Sequence, residues 1–291
     1  MRDSVIGILS GLAAASIWGG MYVVSDVVLE VVPPFTLLTF RLLLAILVLA
    51  GFVVRQGIGK LSRQQFFQIA AVGAVGYGIS LGFQFVGTRL STAANGALLT
   101  AATPAFVALF GYWLLGEKLT SRRWLALVLA TAGVLVVVDP RSVRLSPDVF
   151  WGNLSLLAAG LTWALYSVLV RRVILQDLAL LPVTLIVLLG GLFLTLPLAL
   201  VEGGVGALGL LTWELVLGVI YLGVISTALA VVLWTRAFAL LEAGPASLTF
   251  FAQPVVGAGL SALFLGERLS WLFFAGGILI AAGLWLAARE R

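Results

Sequence analysis

The candidate binding groups of this sequence are polar and aromatic side chains set inside long apolar runs. Arg41 is the one charge clearly inside such a run, and a charge there is costly unless it is paired or functional. Two roles fit Arg41: a structural ion pair with Asp26 or Glu30, or binding of the carboxylate of a substrate. The other candidate substrate-binding residues carry rings or amides, which suit a small amphipathic solute; they are Trp18, Tyr22, Tyr77, Gln84, Asn95, Trp163, Tyr166 and Gln253.

Trp18 and Trp163 stand out among these candidates. Trp and Tyr in apolar segments usually belong to the aromatic belts at membrane interfaces. Both tryptophans lie roughly midway along their runs, so a belt does not account for them. Helical spacing places Tyr22 on the stripe of Trp18 and Tyr166 on that of Trp163. We therefore expect an aromatic-lined pocket.

Two prolines interrupt apolar runs at corresponding places. Pro104 and Pro254 each remove a backbone hydrogen bond to the residue four positions earlier, Thr100 or Phe250. Either the prolines kink their helices for packing, or they open the backbone beside a binding cavity and act in gating. Both readings stay open at this stage.

Glu117 and Glu267 resemble catalytic carboxylates but are predicted to be structural. Each follows a glycine at a turn between two apolar runs, and Thr120 or Ser270 is placed to cap the run that follows. The topology described below puts the two acids on opposite membrane faces, so they cannot share one site.

The residue inventory argues against an enzyme. The sequence has no Cys and no His, which removes thiolate chemistry and the usual zinc and haem ligands. A membrane-embedded lipid-modifying enzyme would need clustered acids or metal ligands at one interface, and none are clustered here. No cofactor and no metal site are expected. The basic residues lie in short loops between apolar runs, so nucleic acid is not an expected partner either.

Composition predicts an all-α polytopic membrane protein. Of the 291 residues, 62% are apolar and only 10% are charged, against about 25% charged in soluble domains. The mean hydropathy is +1.18. Backbone polar groups inside lipid must be satisfied within each segment, so long apolar runs are helices. Ten runs are long enough to cross the bilayer: 4–26, 34–54, 66–87, 92–115, 121–138, 150–171, 180–201, 212–235, 244–266 and 270–288.

Loop charges predict the orientation. With the N-terminus inside, twelve basic residues fall on the cytoplasmic side, and four fall outside: Arg89, Arg141, Arg144 and Arg268. The positive-inside rule therefore predicts that both termini are cytoplasmic. The predicted location is the cell (inner) membrane.

Residues 97–138 recur as residues 247–288 without a gap, 150 positions later. Eleven of the 42 aligned positions are identical, and Pro104 falls on Pro254 while Gly116-Glu117 falls on Gly266-Glu267. Repeats decide architecture, so we infer a duplication. The predicted units are residues 1–138 and 150–291, joined by the loop 139–149. Five helices per unit is an odd number, so the two units are expected to be inverted.

Two inverted five-helix halves, each with a Leu-Gly-Glu-basic-Leu-hydroxyl turn, resemble the drug/metabolite transporter superfamily. The closest resemblance is to its EamA-type exporters. It implies a carrier with alternating access that holds its substrate between the halves.

The candidate lining predicts the substrate class. Aromatic faces, neutral amides and one cation favour small neutral or zwitterionic metabolites, amino acids among them, moved out of the cytoplasm without a coupling ion. A multidrug or organic-cation efflux carrier is the alternative, but residues 4–25 hold no acid to bind a cation, and Asp26 is at the very end of that run. Small-molecule substrate and membrane lipid are the expected partners. Ten helices with an internal repeat can form a complete carrier, so a monomer is expected.

Single cysteines test the topology, because the chain has no native Cys. An impermeant thiol reagent should label Gly59→Cys from the cytoplasmic side and Ser146→Cys from the outer side. Labelling of both from one side would contradict the ten-helix arrangement.

Overall fold

A computed structural model describes residues 2–57, 61–90, 99–100, 103–118, 120–138, 147–174, 176, 178–203, 212–264 and 271–288. These residues form helices and short connections, and they contain no strand. Two predicted site residues, Asn95 and Glu267, lie outside the described residues, as do the labelling positions Gly59 and Ser146 and most of the loop 139–149.

The first half comprises α1 to α5. Their bounds are Arg2–Leu29, Pro34–Gln56, Arg63–Leu90, Thr103–Leu115 and Ser121–Val138. Helix α2 begins with Pro34, whose missing N–H costs nothing in a first helical turn. Helix α3 begins after Ser62, which forms a reciprocal capping box with Gln65. The middle of α3, Ala74–Ser80, is a π-helix.

The second half comprises α6 to α10. Helices α6 and α7 are Pro147–Ile174 and Leu180–Glu202, α8 is Trp213–Leu240, and α10 is Trp271–Ala288. Helix α9 consists of Ala243–Leu248 and Ala252–Phe264, joined by the 3₁₀ turn Thr249–Phe251. The middle of α8, Tyr221–Leu229, is again a π-helix. The two π-helical segments therefore occupy corresponding places in the two halves.

Length and composition let six of the described helices cross a membrane: α1, α2, α3, α6, α7 and α8. Helices α4, α5, α9 and α10 are apolar but shorter within the described residues. The all-helical membrane architecture is therefore confirmed, and ten crossings remain a prediction.

The halves pack against each other reciprocally. Helix α1 packs against α8 and α9, and its counterpart α6 packs against α3 and α4. Helix α2 contacts α7 and α8, while α7 contacts α2 and α3; α4 meets α9, and α5 meets α10. Single residues follow the same exchange. Gly73 of α3 lies against the Val187 backbone of α7. Gly223 of α8, 150 positions after Gly73, lies against the Leu44 side chain of α2 and, next to it, the Arg41 carbonyl.

Small residues allow this close approach, as is usual between membrane helices. A Cβ on Gly190 of α7 would overlap the backbone carbonyl of Ala70 in α3, and neither backbone can move away easily. A Cβ on Gly51 in α2 would meet nothing within 4 Å. The two glycines therefore differ in what surrounds them and not in residue type.

Gly190→Ala should lower the thermal midpoint of the purified protein by several degrees, because the helices must separate. Gly51→Ala is the matched control and should be neutral or slightly stabilising, since Ala is favoured over Gly in a helix by roughly 0.5–1 kcal/mol. Equal midpoints for both variants would contradict the close contact of α3 with α7.

Candidate functional site

A small cavity of about 20 Å³ lies between the two halves, which is room for roughly one water molecule. A solute the size of an amino acid therefore enters only if helices or side chains move apart. The lining comes from α1, α2, α3, α4, α6 and α9 and from Thr100: Trp18, Met21, Tyr22, Arg41, Tyr77, Ser80, Leu81, Gln84, Thr100, Thr103, Ala159, Gly160, Trp163, Phe250 and Gln253.

A continuous group of aromatic rings forms one side of the cavity. Trp18 and Trp163 meet edge to face with ring centroids 5.4 Å apart. Trp163 also contacts Tyr77 at 5.4 Å and Tyr166 at 4.9 Å. Trp18 lies 5.2 Å from Trp234 in the second half. The helix-1 and helix-6 stripes predicted from sequence thus meet directly across the boundary between the halves.

The two central tryptophans differ in their hydrogen bonds. The Trp18 indole donates to the Ser226 carbonyl of the α8 π-helix at 2.8 Å. The buried indole N–H of Trp163 has no acceptor among the described residues. Trp18 is therefore held by the fold, whereas the Trp163 N–H makes no such bond to the described residues.

Arg41 is 1% exposed. Its contacts with the described residues are all with neutral groups. Its Nε donates to Thr227 Oγ1 at 2.7 Å, Nη2 to Ser226 Oγ at 3.4 Å and Nη1 to the Met21 sulfur at 3.4 Å. The guanidinium also lies 5.3 Å from the centre of the Phe85 ring.

The ion-pair alternative for Arg41 is wrong. Asp26 and Glu30 are both exposed, and neither contacts the guanidinium. Both lie at the end of α1, whereas Arg41 projects toward α8. The described residues thus leave a buried cation without a counter-ion beside the cavity.

The remaining predicted residues are distributed around this centre. The Tyr22 and Thr100 hydroxyls lie 3.1 Å apart in a hydrogen bond. Gln84 and Gln253 are buried in the lining, and the Gln253 amide nitrogen has no partner among the described residues. Tyr166 is fully buried behind Tyr77 and does not line the cavity.

The prolines lie beside irregular backbone where the structure describes it. Pro254 follows the 3₁₀ turn Thr249–Phe251, and the residue four before it, Phe250, lines the cavity. Thr249 uses its hydroxyl to bond the Ala246 carbonyl at 2.7 Å. On the other half, Thr103 directly precedes Pro104 and donates to the Gly160 carbonyl at 3.3 Å.

Glu117 lies away from the cavity, at the end of the molecule where α4 turns into α5. Gly116 there has a positive φ of 69°, which favours glycine. The Glu117 carboxylate accepts from the first backbone N–H groups of α9, Ala243 at 2.7 Å and Gly244 at 3.2 Å. Its Oε1 is also 3.3 Å from Arg171 Nε of α6. One carboxylate of the first half therefore binds two helices of the second half.

Sequence reasoning missed the part of α8 that holds Arg41. Ser226 and Thr227 belong to the π-helix, where Thr227 Oγ1 also donates to the Leu222 carbonyl five residues back, at 2.7 Å. A π-helical turn has no strong sequence signature, and such turns often mark functional sites. The position equivalent to Tyr77 in the repeat is Thr227, and this correspondence was the available signal. Among the described residues no group of three or more His, Cys, Asp or Glu could hold a metal.

Residues 5–139 and 150–289 both match the EamA-like transporter family. An uncharacterized transporter from Archaeoglobus fulgidus is 26% identical over 94% of each chain. A probable amino-acid metabolite efflux pump from Escherichia coli is 25% identical over 98% of this chain and 94% of its own. A protein crystal structure has the same fold, with a TM-score of 0.76, 21% identity and coverage of 97% and 96%.

The fold and these matches define a multi-pass membrane transporter and not an enzyme. The chain belongs to the EamA-like transporter family, within the drug/metabolite transporter superfamily.

Conservative replacement separates the two central tryptophans. Trp18→Phe leaves the buried Ser226 carbonyl without its donor, at a cost of about 1–3 kcal/mol, so its thermal midpoint should fall. Trp163→Phe removes an N–H without a partner and should unfold near the wild-type temperature. Thermal unfolding of both purified variants tests this; a larger loss for Trp163→Phe would contradict the assignment.

Proposed function

We propose that the protein exports small neutral or zwitterionic metabolites, amino acids with apolar or aromatic side chains among them, by alternating access. The observation that carries this proposal is the cavity between the halves, with aromatic walls, neutral amides and one cation. The proposed substrate-binding residues are those of the lining, with Tyr166 behind it and Asn95 added from sequence.

The charge of the lining separates the candidate substrates. No carboxylate is present among its described residues, so an organic cation would gain only weak attraction to ring faces. A phosphorylated solute would call for several basic groups, and Arg41 is the single one in the lining. Aromatic faces and amides suit an amphipathic solute of modest polarity. The Escherichia coli and Salmonella typhimurium relatives, named probable amino-acid metabolite efflux pumps, favour the same class.

The architecture proposed for this activity is a pair of inverted five-helix repeats, residues 1–138 and 150–291, crossing the membrane ten times. Reciprocal packing of the halves supports it, because a twofold relation makes each contact occur twice. A site on that axis can be approached from either side when one half rocks against the other. Both halves are present in one chain, so the proposed unit is a monomer.

The contacts of Glu117 would have to change when one half rocks against the other. They tie α4 of the first half to α6 and α9 of the second at one end of the cavity. Loop charges favour the cytoplasmic side for that end, the side on which both termini are also proposed to lie. The proposed location is the inner membrane of the cell. Opening the cavity toward the cytoplasm then requires these contacts to break.

Coupling follows from the same lining. A proton relay through a membrane normally uses buried acids or histidines. The chain has no His, and no acid lines the described cavity. We therefore propose movement down the solute gradient without a coupling ion.

Proteoliposomes loaded with unlabelled L-phenylalanine or L-leucine test the proposal. They should take up the labelled amino acid by counterflow without an imposed pH or sodium gradient. Liposomes without protein are the blank. Liposomes with Gly51→Ala, whose change faces away from the cavity, should match the wild type.

Flux that appears only with an imposed ion gradient would overturn the uncoupled mechanism. Transport of organic cations with no amino-acid flux would overturn the substrate assignment in favour of a multidrug carrier.

A further inference from the structure

Arg41 presents an uncompensated charge to the cavity. A buried guanidinium left without a counter-ion is strongly unfavourable, because neutral hydroxyls and a thioether return only part of its lost hydration. Its described hydrogen bonds go to Thr227, Ser226 and Met21, and the two latter distances of 3.4 Å are long. The guanidinium has five N–H donors, so it retains donor capacity toward the cavity. An anionic group of a ligand would supply the missing charge.

Three further polar groups of the same cavity have no hydrogen-bond partner among the described residues: the Tyr77 hydroxyl and two nitrogen donors. The Gln253 amide nitrogen and the Trp163 indole nitrogen are both buried, and neither has a hydrogen-bond partner among the described residues. Both line the space that Arg41 lines. Buried polar atoms are normally satisfied, so unpaired donors that share a cavity point to a missing acceptor. A carboxylate is acceptor-only and can take several hydrogen bonds at once.

The described lining offers no comparable place for an ammonium group. It contains no carboxylate, and most of its hydroxyls are already engaged: Ser80 donates to the Ala159 carbonyl at 2.8 Å, and Tyr22 pairs with Thr100. The Tyr77 hydroxyl, which has no partner among the described residues, is neutral. The Ser226 carbonyl already accepts from Trp18. Ring faces and neutral oxygens, those of the Tyr77 hydroxyl and of the Gln84 and Gln253 amides, are what remain for a cation, and none of them carries a negative charge.

We propose that the cavity recognises its substrates by their carboxylate and not by their ammonium, so that 2-hydroxy and 2-oxo acids with apolar or aromatic side chains are ligands as well. This inference rests on the proposed function, since it describes the same cavity. Arg41 holds the carboxylate, and Gln253 and Trp163 donate to its remaining lone pairs. The side chain of the ligand packs on the rings of Trp18 and Tyr77.

Three ligands that share one side chain test this proposal on the wild-type protein. Phenyllactate lacks the ammonium of L-phenylalanine, and phenylalaninamide lacks its carboxylate. Each competes against labelled L-phenylalanine for binding to the purified protein, so that passive membrane permeation does not enter. Phenyllactate should compete within about threefold of L-phenylalanine, whereas the amide should be at least about tenfold weaker, because it leaves the charged donor unpaired.

The variant Arg41→Gln tests whether Arg41 causes the preference for a carboxylate. The variant should bind L-phenylalanine and the amide about equally, and phenyllactate should lose at least about tenfold, as expected when a charge-assisted pair becomes neutral. Arg55→Gln removes a basic residue from the exposed last turn of the same helix and should leave the series unchanged. If Arg41→Gln does not fold, the wild-type series decides alone.

The outcomes separate the two proposals. Amino-acid counterflow together with an amide that competes as well as the acid overturns carboxylate recognition and leaves the proposed function standing. Binding of phenyllactate with no amino-acid binding or flux, read directly by thermal shift, overturns the proposed substrate and leaves carboxylate recognition standing. Binding of neither carboxylate overturns both.

Discussion

Lipid supplies no hydrogen bonds, so each backbone group within the membrane must find its partner inside the protein. This constraint makes the described spans helical. Departures from the α-helix are then confined to protein-lined places, and the three described here adjoin the cavity or Arg41: Ala74–Ser80, Tyr221–Leu229 and Thr249–Phe251. One carbonyl of the second segment, that of Ser226, accepts from Trp18. The irregular backbone and the candidate site therefore occur together, because both need surroundings made of protein and not of lipid.

The close approach of the halves places the cavity between them. Apolar surface gains little from association in lipid, so helix packing depends on shape and on small residues. Gly73 and Gly223 bring their helices onto α7 and α2 in matching ways. Because the halves pack reciprocally, Trp18 of α1 meets Trp163 of its counterpart α6.

Two acids among the described residues bind backbone N–H groups across the boundary between the halves. Glu202 of α7 accepts from the first backbone N–H groups of α2 at Phe35 and Thr36, where the helix dipole favours an anion. Glu117 occupies the same kind of position at the start of α9 and adds Arg171. Both acids join one half to the other, which explains carboxylates in so apolar a chain. Arg41 has only neutral contacts among the described residues, and for this reason it is the strongest candidate for a ligand-binding charge.

The sequence by itself determined the membrane class, most helix positions, the repeat and the central tryptophan pair, because these depend on composition, apolar run length and internal comparison. Seven of its nine substrate-binding candidates lie in the cavity lining; Tyr166 lies behind it, and Asn95 is outside the described residues. Only the tertiary structure decided the partners of Arg41, the π-helical segments and the contacts of Glu117. Each of these joins residues from different helices, often from different halves. Asp26 is nearer to Arg41 in the chain than Ser226 and Thr227 are. Arg41 nevertheless contacts Ser226 and Thr227, because packing of α2 on α8 overrides nearness in sequence.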